Sequence, residues 1–469
     1  MLYHFLDWLN NQFDIAGFGV FKYITFRAIL AVVFSLLISL FAGKQIINLL
    51  RRKLIGESIR GDGPSSHKQK AGTPTMGGII ILAAIAIPTL LWADLSNMYV
   101  ILILVSTLWI GAIGFVDDYI KVFRKDKAGL KGKFKIFGQI GLGLIVGFTM
   151  VMHPDFQGKR GAVFPLKDIR PGADLTAAGF QHGDILLKVD GKPFDRELEQ
   201  EDEPFAFSYT VERGIQAGNR KIITVEVPSG DREKVSKAMF SDQDSRFVTR
   251  TNIPFIKNYA INYGHFDETE DGWPGRILYV LIVILIVTAV SNAVNLTDGI
   301  DGLAAGTSAV TAASLAVFCY VSGNIIFADY LNIFFIPMSA ELVIFCASLV
   351  GACVGFLWYN AYPAQVFMGD TGSLALGGAI GVLALMVKKE LLIPIMCGIY
   401  FVESLSVIGQ VAWFKYTKRK YGEGRRIFRM APIHHHYELG GMHESKIVTR
   451  FWIIAVFLSV LAFATLKLR

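Results

Sequence analysis

The sequence predicts an all-α polytopic membrane protein of about ten transmembrane helices, interrupted once by a small α+β, β-rich extramembrane insert. Two observations carry that prediction. The 469 residues are 53% hydrophobic with a mean hydropathy of +0.45, too apolar for a soluble protein of this length. The apolar residues are also gathered into runs near the length that spans a bilayer, whereas 154–275 is polar and rich in Asp, Glu, Gly and Lys.

The runs fall at about 24–50, 76–94, 99–116, 136–152, 277–294, 302–322, 341–359, 373–387, 391–414 and 451–466. The first begins near Val20 with no small-residue cleavage site behind it, so it reads as a retained helix. Ile325–Met338 is interrupted by Asp329 and Asn332 and is placed at the interface. Lys and Arg concentrate in 51–70, 121–135 and 415–429, while 95–98 and 323–340 have none and only Lys388–Lys389 runs against the trend. The basic loops are therefore cytoplasmic, and the even count puts both termini on the opposite side. The formal charge of +7 follows from Lys and Arg gathered in these loops, where they attract anionic lipid or phosphorylated substrate, and calls for no nucleic acid. Cys319, Cys346, Cys353 and Cys397 lie in apolar segments without CxxC spacing, as small buried hydrophobes do.

Nearly every unusual polar residue of the membrane part falls in five stretches of that cytoplasmic face. In Gly111–Lys121, Asp117 and Asp118 sit side by side where an apolar helix reaches water. Anions at the edge of hydrocarbon usually serve a cation, a metal or a reaction; an ordinary helix end with Asp117 paired to Lys121 is the alternative. Asn295–Gly302 breaks a hydrophobic region with Asp298 and Asp301 three apart, which a helical turn would point one way, and with Gly299 and Gly302 to admit a ligand. Tyr359–Ser373 places Asp370, Thr371 and Ser373 before an apolar run, where they serve as helix caps or as part of an anion site at the helix N-terminus. Phe367 is placed either to stack on a base or to sit in the interfacial aromatic belt. Met430–Glu438 sets His434, His435 and His436 after Arg425, Arg426 and Arg429. Adjacent histidines lack the i, i+4 spacing of zinc helices and suit phosphate or sugar oxygens better. Glu403, inside the 391–414 run, is assigned only a polar contact between helices. Carboxylates, basic loops and no soft ligands together describe a Mg²⁺ and phosphate site.

In the polar region, 184–191 and 220–227 read as strands and 173–179 as a short helix or turn. The string Ile169–Phe194 resembles a PDZ domain, and 203–228 is placed to supply that fold's last helix and strand. No Gly-Leu-Gly-Phe-type loop stands near 160–168, so a plain structural insert is an equal reading.

Five strings carry a second resemblance: Gly72-Thr-Pro-Thr-Met-Gly-Gly78, Gly114-Phe-Val-Asp-Asp-Tyr119, Asn292-Ala-Val-Asn-Leu-Thr-Asp-Gly299, Pro363-Ala-Gln-Val-Phe-Met-Gly-Asp370 and Ala431-Pro-Ile-His-His-His-Tyr-Glu438. They resemble, in order, the phospho-N-acetylmuramoyl-pentapeptide transferases of the polyprenyl-phosphate hexosamine-1-phosphate transferase superfamily. The resemblance implies ten transmembrane helices, a homodimer in the bacterial inner membrane and a Mg²⁺-dependent reaction. In it, undecaprenyl phosphate attacks UDP-N-acetylmuramoyl-pentapeptide, giving lipid I and UMP, directly or through a covalent intermediate. It further implies that Asp117, Asp118 and Asp370 are essential, with Asp370 the magnesium ligand and Asp117 the base. Asn295, Asp298, Asn360 and Phe367 match the nucleoside pocket, with Lys70 reaching it. Lys121 and Lys133 match residues near the phosphates, and His434 and His435 the loop beside them; Thr75, Gly299, Asp301 and His436 complete the substrate-binding set. The expected organisation is 1–157 and 248–469 as the transferase, with 158–247 as a periplasmic insert placed for protein contacts.

Overall fold

A computed structural model describes residues 1–13, 17–52, 72–126, 128–157, 164–165, 185–189, 192–193, 208–213, 221–226, 250–254, 256, 260–263, 273–331 and 333–467. The chain is mostly helical. Its main helices are α1 (Leu2–Phe13), α2 (Ile24–Arg52), α3 (Gly78–Trp92), α4 (Met98–Phe123), α5 (Gly132–Met152), α6 (Trp273–Thr297), α7 (Leu303–Ser322), α8 (Leu342–Asn360), α9 (Gly369–Met386), α10 (Gly398–Tyr421), α11 (Ile433–Glu438) and α12 (Glu444–Lys467).

Among the described residues, 8 helices are long and apolar enough to cross a membrane, or 9 if the segments Glu390–Met396 and Gly398–Tyr421 count as one span. That pair corrects the expectation of one helix over 391–414, because its two segments meet at a bend of 80°. The break falls at Cys397, whose backbone leaves the helical region, next to Gly398, where a side chain would strike Leu458. The run at 76–94 shortens to the 15 residues of α3, about 22 Å of helix against a hydrocarbon layer of about 30 Å. The chain is a polytopic membrane protein with these spans. Helix α1 was not expected: its sequence is too polar for a span, and it is held by the Met1 amino group on the Leu90 carbonyl and by Arg27 over the Tyr3 ring.

Helix α9 is the centre of the bundle. Every residue from Thr371 to Met386 is buried, and its Gly, Ala and Ser residues let neighbours approach closely. Helices α4 and α6 pack on it most extensively, α5 packs on α6, and α8 joins α2 to α7.

Among the described residues, five strands form one antiparallel sheet: β1 (Phe164–Pro165), β2 (Ile185–Val189), β3 (Lys192–Pro193), β4 (Ser208–Arg213) and β5 (Lys221–Glu226). The strands expected at 184–191 and 220–227 are present as β2 and β5. Where 203–228 was expected to open with a helix, 208–213 is instead a strand paired with β5 from Ser208↔Glu226 to Arg213↔Lys221. Its Tyr-Thr-Val core favours the extended state. The helix or turn at 173–179 lies outside the described residues.

A second hairpin pairs β6 (Arg250–Asn252) with β7 (Ala260–Asn262) at the far end of α5 and α6. There the Thr251 hydroxyl donates to the Glu390 carboxylate, Tyr279 Oη donates to Glu390 Oε1 at 3.4 Å, and Lys388 Nζ donates to Tyr279 Oη at 2.8 Å. Lys388 and Lys389 are thus buried with an acid partner close by, which explains why they depart from the charge pattern of exposed loops.

Candidate active site

Gly114, Asp117, Asp118 and Lys121 are spaced i, i+3, i+4 and i+7 and so lie on one face of α4. Gly114 has no side chain because the backbone of α9 lies against it at Asp370 and Thr371. That crossing brings the next turn of α4, with its two acids, beside the start of α9. Asp118 then caps α9 from another helix. Its Oδ1 accepts from Asp370 N at 3.1 Å, and its Oδ2 accepts from Thr371 N at 2.9 Å and Thr371 Oγ1 at 2.6 Å. A carboxylate here satisfies amides that the first turn leaves without partners and meets the positive end of the helix dipole. Gly369 (φ +73°) makes the turn into α9, and any side chain there would collide with Asp118.

Asp117 is fully buried. Its Oδ1 accepts from Leu130 N at 2.7 Å and lies 3.0 Å from Lys135 Nζ, while Oδ2 lies 2.5 Å from Lys121 Nζ. Lys135 Nζ also lies 2.5 Å from Asp370 Oδ2, with Lys121 Nζ at 3.4 Å. Asn295 Nδ2 donates to Asp370 Oδ1 at 3.0 Å and to Ser373 Oγ at 2.9 Å. One oxygen from each of Asp117, Asp118 and Asp370 lies within 4.8 Å of the others. Three carboxylates against two ammonium groups leave one negative charge in excess, and the donor set is all oxygen. That chemistry fits a hard divalent cation, which takes carboxylates and phosphate oxygens as ligands.

The other expected residues divide. Lys70 lies outside the described residues. Thr75 and Phe367 come together where Pro74 O accepts from Phe367 N at 2.8 Å and Phe367 O from Gly77 N at 2.8 Å. Asn360 and Asp301 knit two loops: Asn360 Oδ1 accepts from Gly302 N at 3.0 Å, and Asp301 Oδ2 accepts from Ala364 N at 2.9 Å. Asp301 is therefore buried against protein while Asp298 is half-buried, so the two do not share one exposure. The three histidines also part. His434 is buried with Nδ1 3.0 Å from Glu403 Oε2, His435 Nδ1 lies 3.2 Å from Glu438, and His436 Nδ1 accepts from Arg429 N at 3.1 Å. Lys133 is exposed and makes no ion pair among the described residues. Lys135, not singled out from the sequence, bridges Asp117 and Asp370 alongside Lys121. Ser373, expected as a cap or anion-site residue, accepts from Asn295 Nδ2, and Glu403, expected only as a polar contact between helices, meets His434.

Residues 251–388 match the model of glycosyl transferase family 4. That match is to a class of glycosyl transferases, here with acids that meet at one end of a bundle of apolar helices. Residues 70–82 match signature 1 of the phospho-N-acetylmuramoyl-pentapeptide-transferases. Over 100% of both chains, the sequence is 48% identical to that transferase from Flavobacterium psychrophilum, 48% to the one from Flavobacterium johnsoniae and 46% to the one from Parabacteroides distasonis. The chain belongs to the phospho-N-acetylmuramoyl-pentapeptide-transferase family. The family catalyses lipid I formation in peptidoglycan synthesis, and the chain is an enzyme of this kind, a glycosyl-1-phosphate transferase integral to the inner membrane. The segment 158–247 falls within the matched length of these relatives.

Proposed function

We propose that the cluster of Asp117, Asp118 and Asp370 is the catalytic centre, that it works with Mg²⁺, and that it faces the cytoplasm. There the chain passes phospho-N-acetylmuramoyl-pentapeptide from its UDP-linked precursor to undecaprenyl phosphate in the bilayer, releasing UMP. The observation that supports this reading is the meeting of three carboxylates within 4.8 Å at one end of the bundle, with Lys121 and Lys135 beside them.

Asp370 is the residue to hold the ion, since Asn295 and Lys135 orient its carboxylate and its main chain is fixed by Asp118. Bound there, Mg²⁺ would neutralise charge on the diphosphate and favour departure of UMP. Asp117 takes the proton from the lipid phosphate; the Leu130 amide and two ammonium groups hold its oxygens in place. Lys121 and Lys135 balance the charge of incoming phosphates, and Asn295, Asp298 and Phe367 bind the nucleoside. Asp118 acts on the centre through the α9 cap. The remaining parts of the reading are ten spans with α3 and the bent pair included, a homodimer, and a PDZ-like periplasmic insert over 158–247 available for protein contacts. The strands β2, β4 and β5 support a β-rich insert.

Mg²⁺-dependent UMP release by purified protein tests the centre. Asp370→Asn is expected to abolish turnover in folded protein, and Asp117→Asn to keep nucleotide binding while losing the chemical step. Near-parental turnover of Asp370→Asn at ordinary Mg²⁺ would overturn the assignment.

A further inference from the structure

Helix α10 carries three polar residues seven apart, Glu403, Gln410 and Thr417, and a seven-residue spacing keeps them on one face. Within 411–420 Thr417 is the one buried residue, so this face alone is covered. What covers it is the segment that returns from the end of α10, and it meets the three residues in reverse order. Thr417 Oγ1 accepts from Arg425 N at 2.9 Å. Gln410 Oε1 accepts from Ile427 N and Phe428 N at 3.0 Å each, and its Nε2 donates to Phe428 O at 3.2 Å. Glu403 Oε2 meets His434 Nδ1 at 3.0 Å. The segment bearing the arginines and histidines is thus laid along α10 by three rungs.

The innermost rung differs from the other two. Glu403 and His434 are both fully buried, and among the described residues Glu403 Oε1 and His434 Nε2 have no hydrogen-bond partner. A buried acid with half its capacity unused is destabilising relative to an apolar pair of the same size, so packing alone does not account for it. The far edge of the imidazole rests on Gly299. A side chain there would stand 2.7 Å from His434 Cε1 and closer still to Nε2. Glu403, the His434 ring and the backbone of the Asn295–Gly302 loop therefore form one continuous contact. Asn295, in the last turn of α6 that leads into this loop, donates to Asp370.

We propose that Glu403 is a positioning residue for the transfer reaction: it orients His434 as a strut under Gly299 and so sets the loop that receives the nucleotide. The carboxylate fixes which ring nitrogen faces it, as carboxylate partners of histidine do elsewhere. The proposal rests on the reading of Asn295–Gly302 as the nucleotide loop.

Steady-state kinetics of Glu403→Gln, Glu403→Ala, His434→Ala and the Glu403→Ala/His434→Ala pair test it, with Asn295→Ala as reference. Glu403→Ala and His434→Ala are expected to raise KM for the UDP-linked substrate about tenfold or more, with KM for the polyprenyl phosphate unchanged. The pair should be no worse than either single change, as for residues acting through one another. Glu403→Gln, which keeps an acceptor at Nδ1, should recover most of the affinity. Equal loss for both substrates, a change confined to melting temperature, or additive effects in the pair would overturn the proposal. If Asn295→Ala weakens the nucleotide and the Glu403 variants do not, the strut alone fails. If Asn295→Ala has no effect either, the nucleotide-loop reading fails and takes the strut with it.

Discussion

One methyl group at Gly114 tests whether the helix crossing is what assembles the acids. An alanine Cβ there would lie 2.5 Å from the carbonyl carbon of Asp370 and 2.7 Å from Thr371 Cα. Carbons rest about 3.5–4.0 Å apart, so α4 and α9 must separate by about 1 Å. The atoms in the way are backbone, and no side-chain rotation relieves them. The separation falls on the Asp118 cap, where bonds of 2.6–3.1 Å have little room to lengthen. Overpacking of this kind costs about 1–3 kcal/mol, and misplacing reacting groups by about 1 Å can slow a reaction about 10²-fold. Gly114→Ala should therefore insert and purify, melt at a lower temperature, and release UMP at about one to two orders of magnitude below the parent rate. Gly409→Ala, where nothing among the described residues beyond its own helix backbone lies within 4 Å of the added methyl, is the matched control and should behave as the parent. Parental turnover in Gly114→Ala would refute the reasoning, because the acids would then be placed by something other than this contact.

Asp118→Asn removes the charge of the cap and one of its acceptors, and should lower stability in detergent by about 1.5–3 kcal/mol along with turnover; unchanged melting and activity would speak against a cap. Lys135→Met should cost at least about tenfold in turnover, whereas Lys133→Met should stay within a few-fold. The opposite ranking, measured as UMP release, would return the phosphate role to Lys133. Replacing 158–247 with a Gly-Ser linker should leave transferase activity within a few-fold of the parent, since insertions at exposed loops disturb little buried backbone. A deletion protein that is inserted and folded yet inactive would show coupling along the bundle.

The acids were legible in the sequence because charge beside an apolar run is costly and seldom accidental. Asp117 and Asp118 stood out on that ground, Asp370 as a polar residue opening an apolar run and Asn295 as one breaking it, and the structure brings the four together. Phase within a helix was much less legible. Lys131, Lys133 and Lys135 alternate along the chain, and only the start of α5 at Gly132 and its packing on α6 decide which of them turns toward Asp117. Long-range capping was not legible at all. Asp118 and the amides it caps are 252 residues or more apart, and local rules look for a cap within the preceding turn. Pairing across the fold likewise explains Lys388, which contradicts the charge pattern until Tyr279 and Glu390 are seen beside it. The bend at Cys397 is marked in the run by Pro394 and Gly398, but the packing of Gly398 against Leu458 of α12 is set by the fold. Glu403 combines the two cases. Burial of an acid in α10 was visible as a peculiarity, but its meaning depends on a histidine 31 residues later and on a glycine in a third element. A sequence shows which groups are expensive to place; the contacts that repay the placement are set by the fold.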